Sequence, residues 1–275
     1  MQDYGRSSTV GDTLKIVVLV KHVPDAQFDR HIGPDKTLER SESILSELDE
    51  YALEAALQVS EARGGDKAGN QVIALTMGGP DAANALKKAL QIGASSGVHV
   101  ADDALAASDA WATSLVLAAA IRNIGDVDLV LTGMASTDGE TSLVPAQLAE
   151  RLGLPQLTFA SSLEVTGRSV AVRRDSETTS DVVEAELPAV VSVTDQINEP
   201  RYPNFKGILA AKKKKIATFG LADLGIDPAQ VGAAGSLTRV EQADPRPPRS
   251  AGTIITDEGD AGIKLVDFLA AQKLI

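Results

Sequence analysis

Apolar and polar positions follow a long-period rhythm along the first half of the chain. LKIVVLV at 14–20 is a β-branched run carrying one lysine, the pattern of a strand buried on both faces. After a polar stretch, SELDEYALEAALQVSEAR at 46–63 puts Leu48, Ala52, Ala55, Ala56 and Val59 on one helical face and stops at Gly64. QVIALTM at 71–77 is a second buried strand, and Asp81 is placed to cap a helix that carries Leu86, Ala89 and Leu90 and ends at Gly93. GVHVA at 97–101 is a third strand, and Ser108 is placed to cap an Ala/Leu helix that ends at Gly125. DLVLTGM at 128–134 is a fourth, running through the polar ASTDGETS into the helix LVPAQLAERLG. Strand-length runs alternating with helices predict βαβ units, and a helical crossover forces the strands to be parallel.

Beyond Gly153 the period shortens. QLTFASSLEV, RSVAVRRD, TTSDVVEAEL and AVVSVTD read as strands, with turns at Gly167 and near Ser176. From Asn198 the chain is mixed: a short LADLGI segment, then ADPRPPRSAGT at 243–253, and last the amphipathic AGIKLVDFLAAQKLI. A flexible terminus is the plainer reading of this tail, but Leu265, Phe268, Leu269 and Leu274 lie beyond the Pro-rich linker and are too apolar for a solvated end, which favours an arm that buries them on a partner subunit. Residues 1–13 are polar and unpatterned and read as a disordered leader. The expected organisation is a leader at 1–13, an α/β domain at 14–220 and a C-terminal arm at 221–275.

Composition narrows the classes. The 275 residues carry 26 Lys and Arg against 38 Asp and Glu, a net charge of −12, so nucleic acid is not expected as a partner. The absence of cysteine excludes disulfides, thiolate metal sites and cysteine nucleophiles, and fits a reducing compartment. Aromatic residues make up 3%, so Ala, Val and Leu must build the core. No apolar run approaches the ~18 residues of a membrane span, so no membrane insertion is expected and the reading is cytoplasmic.

Candidate chemistry concentrates in GMASTDGETS at 133–142, between a buried strand and a helix. Ligands of open parallel sheets sit beyond the carboxyl ends of the strands, and free amides at a helix start attract phosphate. Thr137, Thr141 and Ser142 add hydroxyls, whereas Asp138 and Glu140 oppose a bare triphosphate unless they face ribose or solvent. A plain turn is an equal reading of these ten residues. No GxxxxGK[ST] and no GxGxxG follows a strand, which disfavours a P-loop or a standard dinucleotide fold. His99 reads as packing, His22 as a possible contact just past the first strand, Asp102 and Asp103 as a loop or cap, Trp111 as core, and Lys212 to Lys215 as a solvated basic patch. No catalytic constellation emerges.

INEPRYPNFKGILAAKKKKI at 197–216 is more specific. It resembles the β subunit of electron-transfer flavoproteins, where an NEPRY motif, a short recognition loop and an AKKKK run occur in this order. RRDSETTSDVVEAELPAVVSVTD, VKHVPD, LDEYALEAAL and VIALTMGGP match the same family, so the resemblance covers about residues 14–219. It implies a mainly parallel, Rossmann-like α/β fold that binds an adenine nucleotide, with a β-rich second half and an extended C-terminal arm. It also implies a heterodimer. The α subunit holds most of the FAD, and this subunit buries AMP, carries no catalytic residues of its own, and presents a loop at 201–211 to acyl-CoA and related dehydrogenases. Electrons would then pass to a membrane quinone oxidoreductase.

Carried over by position, the AMP contacts would be Leu19, Ser46, Glu47, Leu48, Asp49 and Met77, with the loop of Gly133, Met134, Ala135, Ser136, Thr137, Asp138, Gly139, Glu140, Thr141, Ser142, Leu143 and Val144 around the phosphate. Partner recognition would fall to Arg201, Tyr202, Phe205, Ile208 and Leu209. Three departures stand out. Ser46-Glu47 replaces the family's frequent Asn-Pro, Ala26 stands where some members place a tyrosine near the flavin, and ASTDGE replaces QAIDDD or QAIDGD. DGET is also near the DGDT of members that hold a second FAD in place of AMP and split electron pairs, so AMP and FAD are both open. A stand-alone adenine-nucleotide module is the competing class, one with no use for NEPRY, AKKKK or an arm.

Overall fold

Alternation within the first strand decides the layering. In a computed structural model describing residues 13–244, 247–249, 251–252 and 254–275, β1 (Lys15–Leu19) lies in the middle of a nine-stranded sheet. Ile16 and Val18 pack on one face beneath α1 (Glu47–Ala62) and α2 (Ala83–Ile92). Val17 and Leu19 pack on the other beneath α3 (Ala110–Ile124) and α4 (Val144–Leu152). A strand with both faces covered must be apolar at every position, which explains the unbroken KIVVL run.

β4 (Gln71–Met77) and β5 (Ser96–Val100) lie successively on one side of β1, and β6 (Leu129–Gly133) on the other. Beyond β6 come β10 (Ala189–Val193) and β7 (Gln156–Thr166), then β8 (Ser169–Asp175) and β9 (Ser180–Glu186). β11 (Ile216–Phe219) closes the opposite edge. All pairings from β11 across to β7 are parallel, and only β7–β8 and β8–β9 are antiparallel. The expected mainly parallel α/β fold with a β-rich second half is therefore the architecture found. A separate two-stranded ribbon of β2 (His22–Pro24) and β3 (Ser43–Leu45) carries the excursion at 25–42.

Several local expectations are corrected. Asp81 does not cap α2, which instead grows out of a 3-10 turn at Pro80–Ala82. α3 is capped by Asp109, whose side chain accepts from the Ala112 amide at 3.0 Å, while Ser108 Oγ donates to the Leu105 carbonyl. Trp111 is 44% exposed and stacks against the Arg151 guanidinium rather than entering the core. The recognition segment is not a loop throughout. Asn204 accepts from the Gly207 amide at 2.8 Å and starts the short helix α5 (Phe205–Ala211). Lys214 is no solvated charge, since its ammonium donates to the carbonyls of Leu90, Gly93 and Ala94 at the end of α2.

Up to Ala243 the chain forms one unit, and Asp244–Ile275 form a second. Leu221, Ile226 and Val231 are buried in the first unit, so it extends past residue 220 through the short α6 (Gly232–Gly235). The second unit contains α7 (Ala261–Ala271), on which Ile263, Leu265, Val266 and Phe268 are exposed. Of the expected leader, residues 1–12 lie outside the described residues.

Candidate functional site

The chain order reverses beside β1: β4 and β5 build outward on one side, then α3 carries the chain across to β6 on the other. A crevice opens at such a reversal, because the loop after β1 leads to one face and the loop after β6 to the other. Here a cleft of about 530 Å³ lies over the carboxyl ends of β1, β4, β5 and β6. Its apolar wall includes Leu19, Leu75, Met77, Leu105, Leu117 and Val144, and among the described residues no phenylalanine, tyrosine or tryptophan lines it.

The floor depends on Gly133. A Cβ there would meet the Leu48 carbonyl at 2.8 Å and Asp49 Oδ1 at 2.9 Å, so only glycine lets the start of α1 approach the end of β6. Asp49 bridges the two loops by accepting the Lys21 amide at 2.8 Å and the Gly133 amide. Its carboxyl is buried, and desolvation pushes its pKa up to about 7 against the pull of those two amides and of the Lys21 charge. The two helix starts at the crevice thus differ. α1 has acidic side chains in its own first turn, which complement its dipole. Neither start has a side-chain cap, but α4 has no acid in its first turn, has Pro145 there, and presents Val144 and Pro145 to the cleft.

The acidic side chains of the loop are already spent. Asp138 is buried, yet its pKa is held far below the carboxylate range. Burial pushes it up, but the Lys21 charge and hydrogen bonds from Arg40, Lys21 and Ser136 outweigh that. Lys21 Nζ lies 2.9 Å from Asp138 Oδ1 and 3.3 Å from Ser136 Oγ. Glu140 faces the Arg30 guanidinium at 3.7 Å. Glu140 and Ser142 adopt left-handed backbone, at φ 51° and 54°, a conformation non-glycine residues hold mainly where surrounding structure enforces it.

At the other end of α1 the NEPRY segment is clamped down. The Arg201 guanidinium donates from Nε to Glu54 Oε2 at 2.6 Å, from Nη2 to Glu54 Oε1 at 3.0 Å, and from Nη1 and Nη2 to Glu61 at 2.6 and 2.9 Å. Asn198 donates to the Tyr51 carbonyl at 3.0 Å. A Cβ on Gly207 would lie 2.5 Å from the Gln91 carbonyl, so α5 sits directly on the end of α2. Held this way, the segment exposes Tyr202, Phe205, Ile208 and Leu209, with Phe205 at 75%.

The electron transfer flavoprotein domain model matches residues 36–224, which include α1, the ends of β4, β5 and β6 at the cleft and the NEPRY segment. The electron transfer flavoprotein subunit beta of Mycobacterium leprae is 44% identical over 263 residues, covering 94% of this chain and 99% of that protein. The subunit beta of Megasphaera elsdenii is 35% identical, covering 95% and 100%. The caffeyl-CoA reductase-Etf complex subunit CarD of Acetobacterium woodii is 34% identical, covering 88% and 92%. The chain belongs to the electron transfer flavoprotein β-subunit family. Its members are electron-carrier subunits that pair with an α subunit.

Within this family fold, Leu19, Asp49, Met77, Gly133, Ala135, Ser136, Thr141, Ser142 and Val144 line the cleft together. Ser46, Glu47, Leu48, Met134, Thr137, Asp138, Gly139, Glu140 and Leu143 stand outside its lining, with Asp138 behind Lys21 and Arg40. Of the recognition residues, Arg201 points back into its clamp while the other four are displayed. Sequence reasoning missed Lys21, Arg40, Gly79, Asp81 and Thr113 as lining residues. For Lys21 the signal was available, since it directly follows a strand that ends at the crevice. Arg40 gave none, because it is carried in by the 25–42 excursion. Among the described residues no cluster of metal-ligating side chains occurs, and no helix is long and apolar enough to cross a membrane.

Proposed function

We propose that this chain is the β subunit of a heterodimeric electron carrier working between acyl-CoA and related flavin dehydrogenases and a membrane quinone oxidoreductase, and that its own cleft holds AMP. The observation that carries the nucleotide reading is the pairing of α4's uncapped start with Lys21 and Arg40 across one crevice that lacks an aromatic wall. Backbone donors at a helix start and two cations suit a phosphate. An apolar slot between Leu19, Met77 and Val144 suits a purine, whereas an isoalloxazine lacks the rings it would stack on. The residues present therefore fit the nucleotide. FAD, held mainly by the α subunit, supplies the redox chemistry when bound. This chain's residues bind and orient, and AMP acts as a ligand that stabilises the folded subunit by mass action. The displayed Phe205, Ile208 and Leu209 supply an apolar contact for the dehydrogenase.

The competing reading puts a second FAD in the same cleft, and the Asp138-Gly139-Glu140-Thr141 stretch favours it. The test is to denature the purified heterodimer and quantify what it releases. One AMP and one FAD per heterodimer is the expected result, while two FAD and no AMP would overturn it.

A further inference from the structure

We propose that Arg40 is a phosphate-reading residue of the cleft, brought into it from outside every strand-end segment by the β2–β3 ribbon and locked there by Asp138. The inference rests on the nucleotide reading above and deepens it by assigning a specificity-determining residue.

Three observations carry it. First, Arg40 lines the cleft with Lys21, Ser136 and Ser142, although it is separated from the phosphate loop by about ninety residues of chain. Second, it is fixed at both ends. Its carbonyl accepts from Ser43 Oγ at 3.0 Å, its Nη1 donates to the His22 carbonyl at 2.8 Å, and its Nη2 donates to Asp138 Oδ2. A guanidinium pinned on a ribbon edge has little rotamer freedom left to lose on binding a ligand. Third, donors remain. Of the five N–H groups of a guanidinium two are used, so three are unspent among the described residues. Lys21, which donates to Ser136 and Asp138, keeps one of its three.

The same count on the acceptor side removes the objection that an acid sits in the loop. Asp138 takes hydrogen bonds from Lys21, Arg40 and the Gly139 amide, and its side chain is 3% exposed. It has no face left to repel a ligand. Around the loop, Lys21 and Arg40 outnumber the one buried carboxylate they share, while Asp49, Asp81, Asp102 and Asp103 line other parts of the cleft. Asp138 therefore acts as the positioning residue and Arg40 as the contact. A planar fork with three free donors is what a phosphate or phosphodiester group takes up, and a neutral nucleoside does not.

The experiment compares AMP and adenosine binding by calorimetry to the nucleotide-depleted heterodimer, wild type against Arg40→Gln and Arg40→Lys. Loss of a charge-assisted contact should weaken AMP roughly 10- to 100-fold in Arg40→Gln. Adenosine should stay within about twofold of wild type, and Arg40→Lys should fall between. If Arg40→Gln fails to assemble, the comparison of Arg40→Lys with wild type decides, since the lysine keeps the charge but not the fork. AMP binding unchanged in the variants, or AMP and adenosine weakened equally, would overturn the assignment and leave Arg40 a brace for the ribbon. A wild-type protein that binds neither ligand would instead overturn the nucleotide reading, and the assignment would fall with it.

Discussion

Replacing Arg201 with methionine tests the clamp that holds the NEPRY segment to α1. Glu54 is the partner that matters, because its side chain is 5% exposed and, without the guanidinium, keeps only the Gln58 side-chain amide at 2.8 Å and the backbone amide of residue 201 at 3.3 Å. Glu61 is 55% exposed, and such a pair contributes about 1 kcal/mol at most. Removing one partner of a buried pair costs roughly 3–5 kcal/mol, because the other charge is left desolvated. Arg201 itself is about one-third exposed, so water reaches part of the gap and the lower end applies, about 3 kcal/mol. For a unit of this size that corresponds to a fall of about 6–12 °C in the thermal midpoint of the heterodimer, measured by calorimetry. Burial pushes the Glu54 carboxyl up, but the Arg201 and Gln58 hydrogen bonds outweigh it and hold the net pKa below 4.5. A depressed pKa gives stability that is present above pH 4.5 and lost on further acidification, whereas an unpaired buried Glu54 is relieved by protonation. The deficit of Arg201→Met should therefore shrink from pH 7 toward pH 4. The double variant Glu54→Met with Arg201→Met leaves no unpaired charge and should recover most of the loss. A single variant within about 1 kcal/mol of wild type, or a double variant no better than the sum of the singles, would refute the reasoning.

Asp49→Asn should flatten the pH profile of unfolding. A carboxyl raised to about 7 contributes stability that is complete below 3.8 and lost as pH rises through 7, on the order of 4 kcal/mol in all, so wild type should weaken between pH 5 and 8 and the variant should not. Phe205→Ala should raise the heterodimer concentration that half-saturates dehydrogenase reoxidation roughly 30-fold, since an interface anchor is worth about 2 kcal/mol, with flavin content unchanged. Deleting residues 254–275 should weaken association with the α subunit while leaving the midpoint of the first unit in place, because the apolar side chains of α7 find no cover within their own unit; unchanged affinity in a titration would count against the arm.

Where burial is two-sided, the chain announces itself. Ile16 to Leu19, Val72 to Leu75 and Leu129 to Leu131 had to be apolar throughout, so β1, β4, β6 and the parallel order implied by intervening helices were legible from pattern alone. The position of the crevice followed, since it needs only the ends of those strands. Local chemistry was less decisive. Ser108 and Asp81 were reasonable caps, but tertiary contacts gave capping to Asp109, whose second oxygen accepts from Leu237 and Thr238, more than a hundred residues away. Trp111 reads as core by hydropathy, yet it is held at the surface by Arg151 from a different helix. Lys214 read as a solvated charge and Arg201 as a partner-facing one because nothing beside them in sequence is their partner. One ends α2, and the other pairs with α1 about 140 residues back. The same holds at the cleft. Strand-end logic pointed to residues 133–142, but only the folded chain brings Arg40 against Asp138 and so pairs the acid that had argued against a phosphate. Periodicity records how each segment meets the core as a whole, whereas an ion pair between distant segments leaves no periodic trace and exists only once the sheet has set their separation.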